Sequence, residues 1–317
     1  MIYKYSAACG LLGGLRRNSF KGKEVIDIER QTPEAVRILL KKYLKSDYPS
    51  EEKVYYIERA LNISFLKKAA KLIKFLNTEA KEVVKILVFE FDMFNLKLLI
   101  RRIHLNTNEG DDMFYWGFAP LVFKDKNPCD FRNIEELRLY LRRKPILYRA
   151  FNRAFENFRF HRDIFYFDFC LDEEYLALLK YTSSRLDYNS RRLLENFISI
   201  RVLTYALRLK FFQGRDYEEV RTLLGRHRFL NKGVLSQIMN VSSLEEAIAI
   251  IEKDPLFSKL RLRLSLNFEE DLDNVFYKQF LEKRGVNFFS MYPYLVFYLS
   301  QRYLIEKLVF IVNDRFK

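Results

Sequence analysis

The sequence is short of the residues that turn and staple a chain. Ten glycines and seven prolines in 317 residues leave few tight turns, which excludes a sandwich or barrel of many short strands. The three histidines, His104, His161 and His227, lie far apart, so no paired zinc motif is present. Cysteine is equally scarce. Cys9, Cys129 and Cys170 are odd in number and distant in sequence, an arrangement that excludes a disulfide framework and fits a reducing cytosolic setting. No apolar run approaches the ~18 residues of a spanning helix. The strongest, Tyr294 to Leu299 and Leu308 to Val312, are separated by charges, so the chain is expected not to cross a membrane. Met1 to Leu15 holds one lysine and a short apolar run without a convincing cleavage site, and is not read as a signal peptide.

The motifs of catalysis are missing too. Gly13-Gly14 and Gly22-Lys23 lack the spacing of a phosphate loop, and no dinucleotide fingerprint follows a strand. A serine triad could be assembled only by assertion. The acidic pairs Asp111-Asp112 and Glu173-Glu174 fall on predicted loops or helix starts, where helix-capping charge explains them better than general acid–base work. No catalytic residue, metal ligand or cofactor is expected.

What is present is helical. Hydrophobic residues make up 49% of the chain, with 30 Phe and 20 Tyr, and Leu, Lys, Arg, Glu and Ala dominate long periodic stretches. The aromatics can fill helix–helix interfaces or face a partner. The net charge of +14 admits nucleic acid, anionic lipid headgroups or an acidic protein as partner. The excess is spread along the chain with no block of five or more basic residues, and chooses none of the three.

Internal repetition organises the sequence. A helix-start pattern, Thr32-Pro33-Glu34-Ala35-Val36, recurs as Asn133-Ile134-Glu135-Glu136-Leu137 and Ser243-Leu244-Glu245-Glu246-Ala247. Each is a capping residue followed by acids suited to the positive end of the helix dipole. In the last two copies a proline, Pro145 or Pro255, follows and should interrupt or end the helix. A second pattern comes after each first one. Ile57-Glu58 with Leu61-Asn62 and Phe65 matches Phe167-Asp168 with Leu171-Asp172 and Tyr175, and both match Phe268-Glu269 with Leu272-Asp273 and Phe276. The offsets are about 110 and then about 100 residues.

A long helix closes each copy, roughly Phe89 to Ile103, Arg191 to Phe212 and Tyr294 to Asp314. Apolar positions spread around each cylinder, so these helices should be buried and meet side by side. The chain therefore reads as one compact all-α body of three tandem helical repeats, 1–105, 106–212 and 213–317. Residues 104–132 and 213–233 carry the Gly, Pro and Asn of breaks between repeats. Ala7, Ala8, Gly10, Gly13 and Gly14 near the start would let a helix pack very close to a neighbour.

The first closing helix contains Asp92-Met93-Phe94-Asn95-Leu96-Lys97 and ends in Ile100-Arg101-Arg102. This run resembles the signature of the rotary-ATPase component known as C in bacteria and archaea and as d in eukaryotes. Several other stretches resemble the same family: Tyr3-Lys4-Tyr5 through Leu15-Arg16, Asn133 to Pro145, Tyr166-Phe167-Asp168 with Leu171-Asp172-Glu173-Glu174-Tyr175, Gly233-Val234-Leu235 with Ser243 to Glu246, and Tyr292-Pro293-Tyr294 with Tyr298-Leu299. There are departures. An offset of about 107 residues aligns Arg101 with Arg208 and sets Ser199, Val202 and Thr204 where Asp92, Asn95 and Lys97 stand. The last helix offers Glu306 as its acid but lacks the expected Asn and Arg.

The resemblance implies a non-catalytic, funnel-like body with three helical units about a pseudo-threefold axis. It would sit peripherally on the cytoplasmic end of a membrane rotor ring and hold the foot of the central stalk in a socket, carrying torque for proton or sodium transport. It implies stalk and ring subunits as partners, with no nucleotide, small-molecule substrate or nucleic acid. Lys97, Arg101, Arg102, Arg201, Arg208 and Lys210 are expected near the socket. Asp92, Asn95, Asp168, Asp172 and Glu306 are expected as structural residues of the family motifs. The other role for Asp92 with Lys97 or Arg101 is to hold neighbouring helices together. The rival readings are an unrelated helical-repeat scaffold and an RNA-binding helical protein, the latter drawing on the Arg149 to Arg162 stretch; an enzyme is third.

Overall fold

The computed structural model describes residues 6–29, 31–105, 130–224, 232–253, 268–278 and 290–316. Among these residues every regular element is helical. By contact the chain divides into two compact units, Met1–Leu178 with Phe297–Lys317, and Leu179–Val296.

The capping patterns start helices as expected. Thr32 accepts a hydrogen bond from the Ala35 amide at 3.4 Å and opens α3 (Pro33–Leu44), with the proline in the first turn where its missing N–H costs nothing. Asn133 accepts from the Glu136 amide at 2.8 Å and opens α6 (Ile134–Leu141), while the Glu136 carboxylate reaches back to the Arg132 amide at 3.2 Å. Ser243 and Glu246 make a similar reciprocal arrangement at the head of α12 (Leu244–Lys253): Ser243 accepts from the Glu246 amide at 3.2 Å, and the Glu246 carboxylate accepts from the Ser242 amide at 3.1 Å. Pro145 does separate two helices: α6 stops at Leu141 and α7 (Pro145–His161) begins on the proline itself. Pro255 lies outside the described residues.

Unit 1 contains α1 (Ser6–Arg17), α2 (Gly22–Ile28), α3, α4 (Val54–Phe75), α5 (Thr78–Leu105), α6 and α7. It also takes most of α8 (Ile164–Ser183) and, from Phe297 onward, α14 (Tyr292–Arg315). α4 and α5 form an antiparallel hairpin whose return is capped by Asn77 accepting from the Ala80 amide at 2.9 Å. α5 is longer than the periodicity indicated and is buried around its circumference, with Val84, Leu87, Leu96 and Leu99 wholly enclosed. Truncating any of these leucines to alanine should cost about 2–5 kcal/mol. The Gln301 amide of α14 donates to the Phe20 carbonyl at 2.9 Å, and Lys307 pairs with Glu29 at 3.0 Å.

Unit 2 is built on α9 (Tyr188–Leu207), which runs on into a π-helical turn, Arg208–Phe212. Against it lie α10 (Tyr217–Leu224) and α13 (Phe268–Phe276), while α11 (Lys232–Asn240) pairs with α12. No helix of the described residues is long and apolar enough to cross a membrane.

Three sequence expectations are corrected. The break at 213–233 holds a helix, α10, whose Val220 and Leu224 are buried. The glycines of α1 mediate no close approach: a Cβ on Gly10, Gly13 or Gly14 would meet nothing within 4 Å, because α1 packs through Leu12 and Leu15 and turns its glycines outward. Glu173 and Glu174 cap nothing. They lie in the middle of α8, almost wholly buried, and are held by Arg153 at 2.5 and 2.8 Å. Asp111-Asp112 are outside the described residues.

Candidate functional site

The second repeated pattern lands on three helices, α4, α8 and α13, with its described apolar side chains turned inward. Ile57, Leu61 and Phe65 are buried on α4, Phe167, Leu171 and Tyr175 on α8, and Leu272 and Phe276 on α13. The spacing of four residues stacks them on one face. That register carries the polar residue after each second apolar position, Asn62, Asp172 or Asp273, to the edge of the buried face.

Each of these polar groups meets a cation on a long helix distant in sequence. Lys97 of α5 donates to Asp172 of α8 at 2.5 Å. Arg201 of α9 pairs with Asp273 of α13 at 3.6 Å. Arg302 of α14 donates to the Asn62 amide oxygen of α4 at 3.3 Å. The first and third pairs lie in unit 1 and the second in unit 2. A ring contact accompanies two of them. Phe65 packs on Tyr298 at 4.8 Å between centroids and Phe276 on Phe197 at 5.8 Å. Tyr298 and Phe197 each stand four residues before their cation, the place that Met93 takes before Lys97.

The cations hold further groups as well. Arg302 also pairs with Glu90 at 3.4 Å and Glu306 at 3.0 Å, and lies over the Phe91 ring at 4.8 Å. Arg201 lies over Phe197 at 5.4 Å. One turn beyond Lys97, Arg101 pairs with Asp168. Burial pushes the Asp168 carboxyl above the ordinary aspartate value, against the opposing pull of Lys97 and Arg101.

Asp92 behaves otherwise. It is fully enclosed, neither carboxylate oxygen has a hydrogen-bond partner among the described residues, and burial raises its pKa well above the ordinary value, with Lys144 pulling the other way. Lys97 and Arg101 thus do tie α5 to α8, and Asp92 takes no part in that tie. Asn95, three residues on, is buried as well.

The six basic residues expected near a socket fall three in each unit. Lys97, Arg101 and half-buried Arg102 are in unit 1; Arg201, exposed Arg208 and Lys210 are in unit 2. Lys210 is committed to the Met239 carbonyl, and burial holds its pKa below the ordinary lysine value despite Glu246. The pairings set a register of Lys97, Arg201 and Arg302, with offsets of 104 (97 to 201) and 101 (201 to 302), where the alignment of Arg101 with Arg208 gives 107. The difference of three residues is close to one helical turn, so both registers present the same face. Arg302, Arg153 and the buried role of Glu173 and Glu174 were not anticipated from the sequence. A charge standing inside an apolar helix, as Arg302 does, is the signal that would have found them, since such a charge is seldom buried without a partner.

The C-terminal part of each long helix, or the turn that follows it, carries an exposed apolar side chain: Leu105 of α5 at 65% exposure, Phe212 after α9 at 53% and Phe310 of α14 at 50%. A charged residue precedes each by four, namely Arg101, Arg208 and Glu306.

A sequence model of the ATP synthase (C/AC39) subunit family matches residues 8–313, almost the full chain, including all three pairings and all three helix ends. The chain belongs to this family. No curated protein matches it. The C/AC39 family is the C/d family of V- and A-type ATPases, so the chain is part of a rotary ATPase and works with the other subunits of that complex. The family is one of structural rather than catalytic subunits.

Proposed function

We propose that this C/AC39 protein is the adaptor between the central stalk and the membrane rotor ring, seated on the cytoplasmic face and passing torque for proton or sodium movement. In this reading the three repeats, 1–105, 106–212 and 213–317, surround a pseudo-threefold axis as a funnel with a central socket. The observation that carries it is the recurrence of one pairing: each long helix grips the matching helix of the next copy, α5 to α8, α9 to α13 and α14 back to α4. A rule that advances by one copy and returns to the first is what a closed ring of three requires. A torque adaptor must also be stiff, and close-packed helices with aromatic interiors resist deformation.

The exposed ends at Leu105, Phe212 and Phe310 supply apolar anchors of the kind that dominate protein interfaces. Arg101, Arg102 and Arg208 supply basic charge for acidic groups on the stalk. Lys97, Arg201 and Lys210 act indirectly, by fixing the helices that present those ends.

Affinity purification from gently solubilised host membranes tests the reading. Near-stoichiometric recovery of catalytic, stalk and ring subunits is expected. Recovery of the protein alone, or with RNA, from cells holding an intact rotary ATPase would sink it. Charge reversal at Arg101 and Arg208, with the fold checked separately, should weaken stalk binding; unchanged binding removes both from the socket.

A further inference from the structure

Residues 137–155 contain no acidic residue and six basic ones: Arg138, Arg142, Arg143, Lys144, Arg149 and Arg153. Two are neutralised inside the fold or along the helix, Arg153 by Glu173 and Glu174 and Arg138 by Glu135 at 3.4 Å. The other four gather at the corner between α6 and α7. Arg142 and Arg143 are exposed there and form no ion pair with any described carboxylate, Arg142 meeting the Tyr148 hydroxyl; Lys144 is half-buried and acts on the enclosed Asp92; and the Arg149 side chain is 69% exposed with only a 3.8 Å approach to Glu174. Two aliphatic side chains share the corner, Leu139 at 55% and Ile146 at 49% exposure. Leu139 stands three residues before Arg142, and Ile146 three before Arg149, so each is on the same helical face as an arginine.

We propose that the α6–α7 corner of unit 1 docks on an anionic phospholipid surface, with the basic side chains at the headgroups and Leu139 and Ile146 dipping among the acyl chains. The proposal rests on reading the protein as peripheral to a membrane complex. Clustered basic residues are drawn to anionic lipid, and aliphatic side chains between them add burial at the interface. Base stacking needs exposed aromatic faces; the two tyrosines of this corner are only half-exposed, Tyr140 packed on Phe131 and Tyr148 hydrogen-bonded to Asn152 and Arg142, and its most exposed apolar side chains are aliphatic, so bilayer fits it better than RNA. A diffuse anionic plane also suits a turn from which successive arginines fan outward, where an acidic peptide would demand one fixed geometry.

Sedimentation of the purified full chain with vesicles of phosphatidylcholine, with and without about one-third phosphatidylglycerol, tests this. Binding is expected only with the anionic lipid and should fall in high salt. Each charge removed should weaken it about fivefold, so Arg142→Gln with Arg143→Gln should lose about 25-fold. Leu139→Ser with Ile146→Ser should weaken binding while leaving salt dependence intact. Arg159→Gln with Arg162→Gln removes equal charge from exposed positions at the far end of α7 and should change binding far less. Equal loss in that control means the net charge of the whole protein is responsible, and overturns the proposal. So does binding indifferent to lipid charge, or retention of single-stranded RNA in preference to vesicles. Because the assay uses the isolated protein, its failure is separable from failure to co-purify a rotary ATPase.

Discussion

Lys97 and Asp172 meet at 2.5 Å across α5 and α8, with side chains only 17% and 23% exposed. A pair so withdrawn from water is screened little, and removing one partner strands the other. Lys97→Met and Asp172→Asn should each cost about 1–3 kcal/mol in denaturant unfolding. A double-mutant cycle should show coupling of roughly 1 kcal/mol or more. Additive effects would mean that the contact stabilises nothing.

Asp92 makes the opposite case. Its folded pKa lies well above its ordinary value of 3.8, so between the two values the folded state holds a proton that the unfolded state has lost. Stability contributed by this group is therefore full below the unfolded pKa, declines as pH rises toward the folded pKa, and is flat beyond it. Asp92→Asn should remove that decline and stabilise the protein at neutral pH by about 1–3 kcal/mol. Thermal melts of both forms across the acid range decide it; a variant less stable at neutral pH would show that the carboxylate has a partner.

Arg302 and Arg201 each tie a long helix to a helix distant in sequence, Arg302 to α4 and Arg201 to α13. Arg302→Ala leaves Glu90, Glu306 and Asn62 without their shared cation and should cost about 2–4 kcal/mol. Arg201→Ala removes, among its contacts, the 3.6 Å pairing with Asp273 and the Phe197 ring contact, which together are worth about 1 kcal/mol. Chemical unfolding of the two variants should reproduce this order, and a reversed order would remove Arg302 from its central place in unit 1.

Leu105→Ser, Phe212→Ser and Phe310→Ser alter side chains that are half or more exposed. Unfolding free energies should fall by no more than about 1–2 kcal/mol per variant, set by the share of each side chain that is buried. Combined, they should reduce recovery of partner subunits at least about tenfold if the helix ends are anchors. Undiminished recovery would move the interface elsewhere.

Local chemistry was legible in the sequence. Thr32, Asn133 and Ser243 cap helices because a short polar side chain before acidic residues does so in almost any context, and Phe65, Tyr175 and Phe276 are buried because a four-residue apolar spacing defines a face. Contacts between distant helices were not legible. Nothing within α14 says that Arg302 will reach Asn62, 240 residues away, and nothing within α8 says that Glu173 and Glu174 face Arg153 rather than solvent. The glycines of α1 misled for a related reason: a small residue permits close approach, but only the neighbour's position decides whether approach occurs. The exposed Arg142 and Arg143 corner was hidden by averaging, since a net charge distributed along the chain can still be uneven on the surface.

Phe297–Lys317 belongs to the same compact unit as α1 to α7, and Gln301, Arg302, Lys307 and Arg315 reach back to Phe20, Asn62 and Glu29. On a ribosome adding about 5–20 residues each second, the earliest-made helices wait for this stretch before their core can close. Until it emerges, Phe65 lacks the Tyr298 ring and Phe91 lacks the Arg302 side chain over it, and both stay open to chaperones and proteases. A chain cut short before Phe297 is therefore expected to be cleared rather than to linger, which would keep incomplete copies from competing for places in the assembled machine.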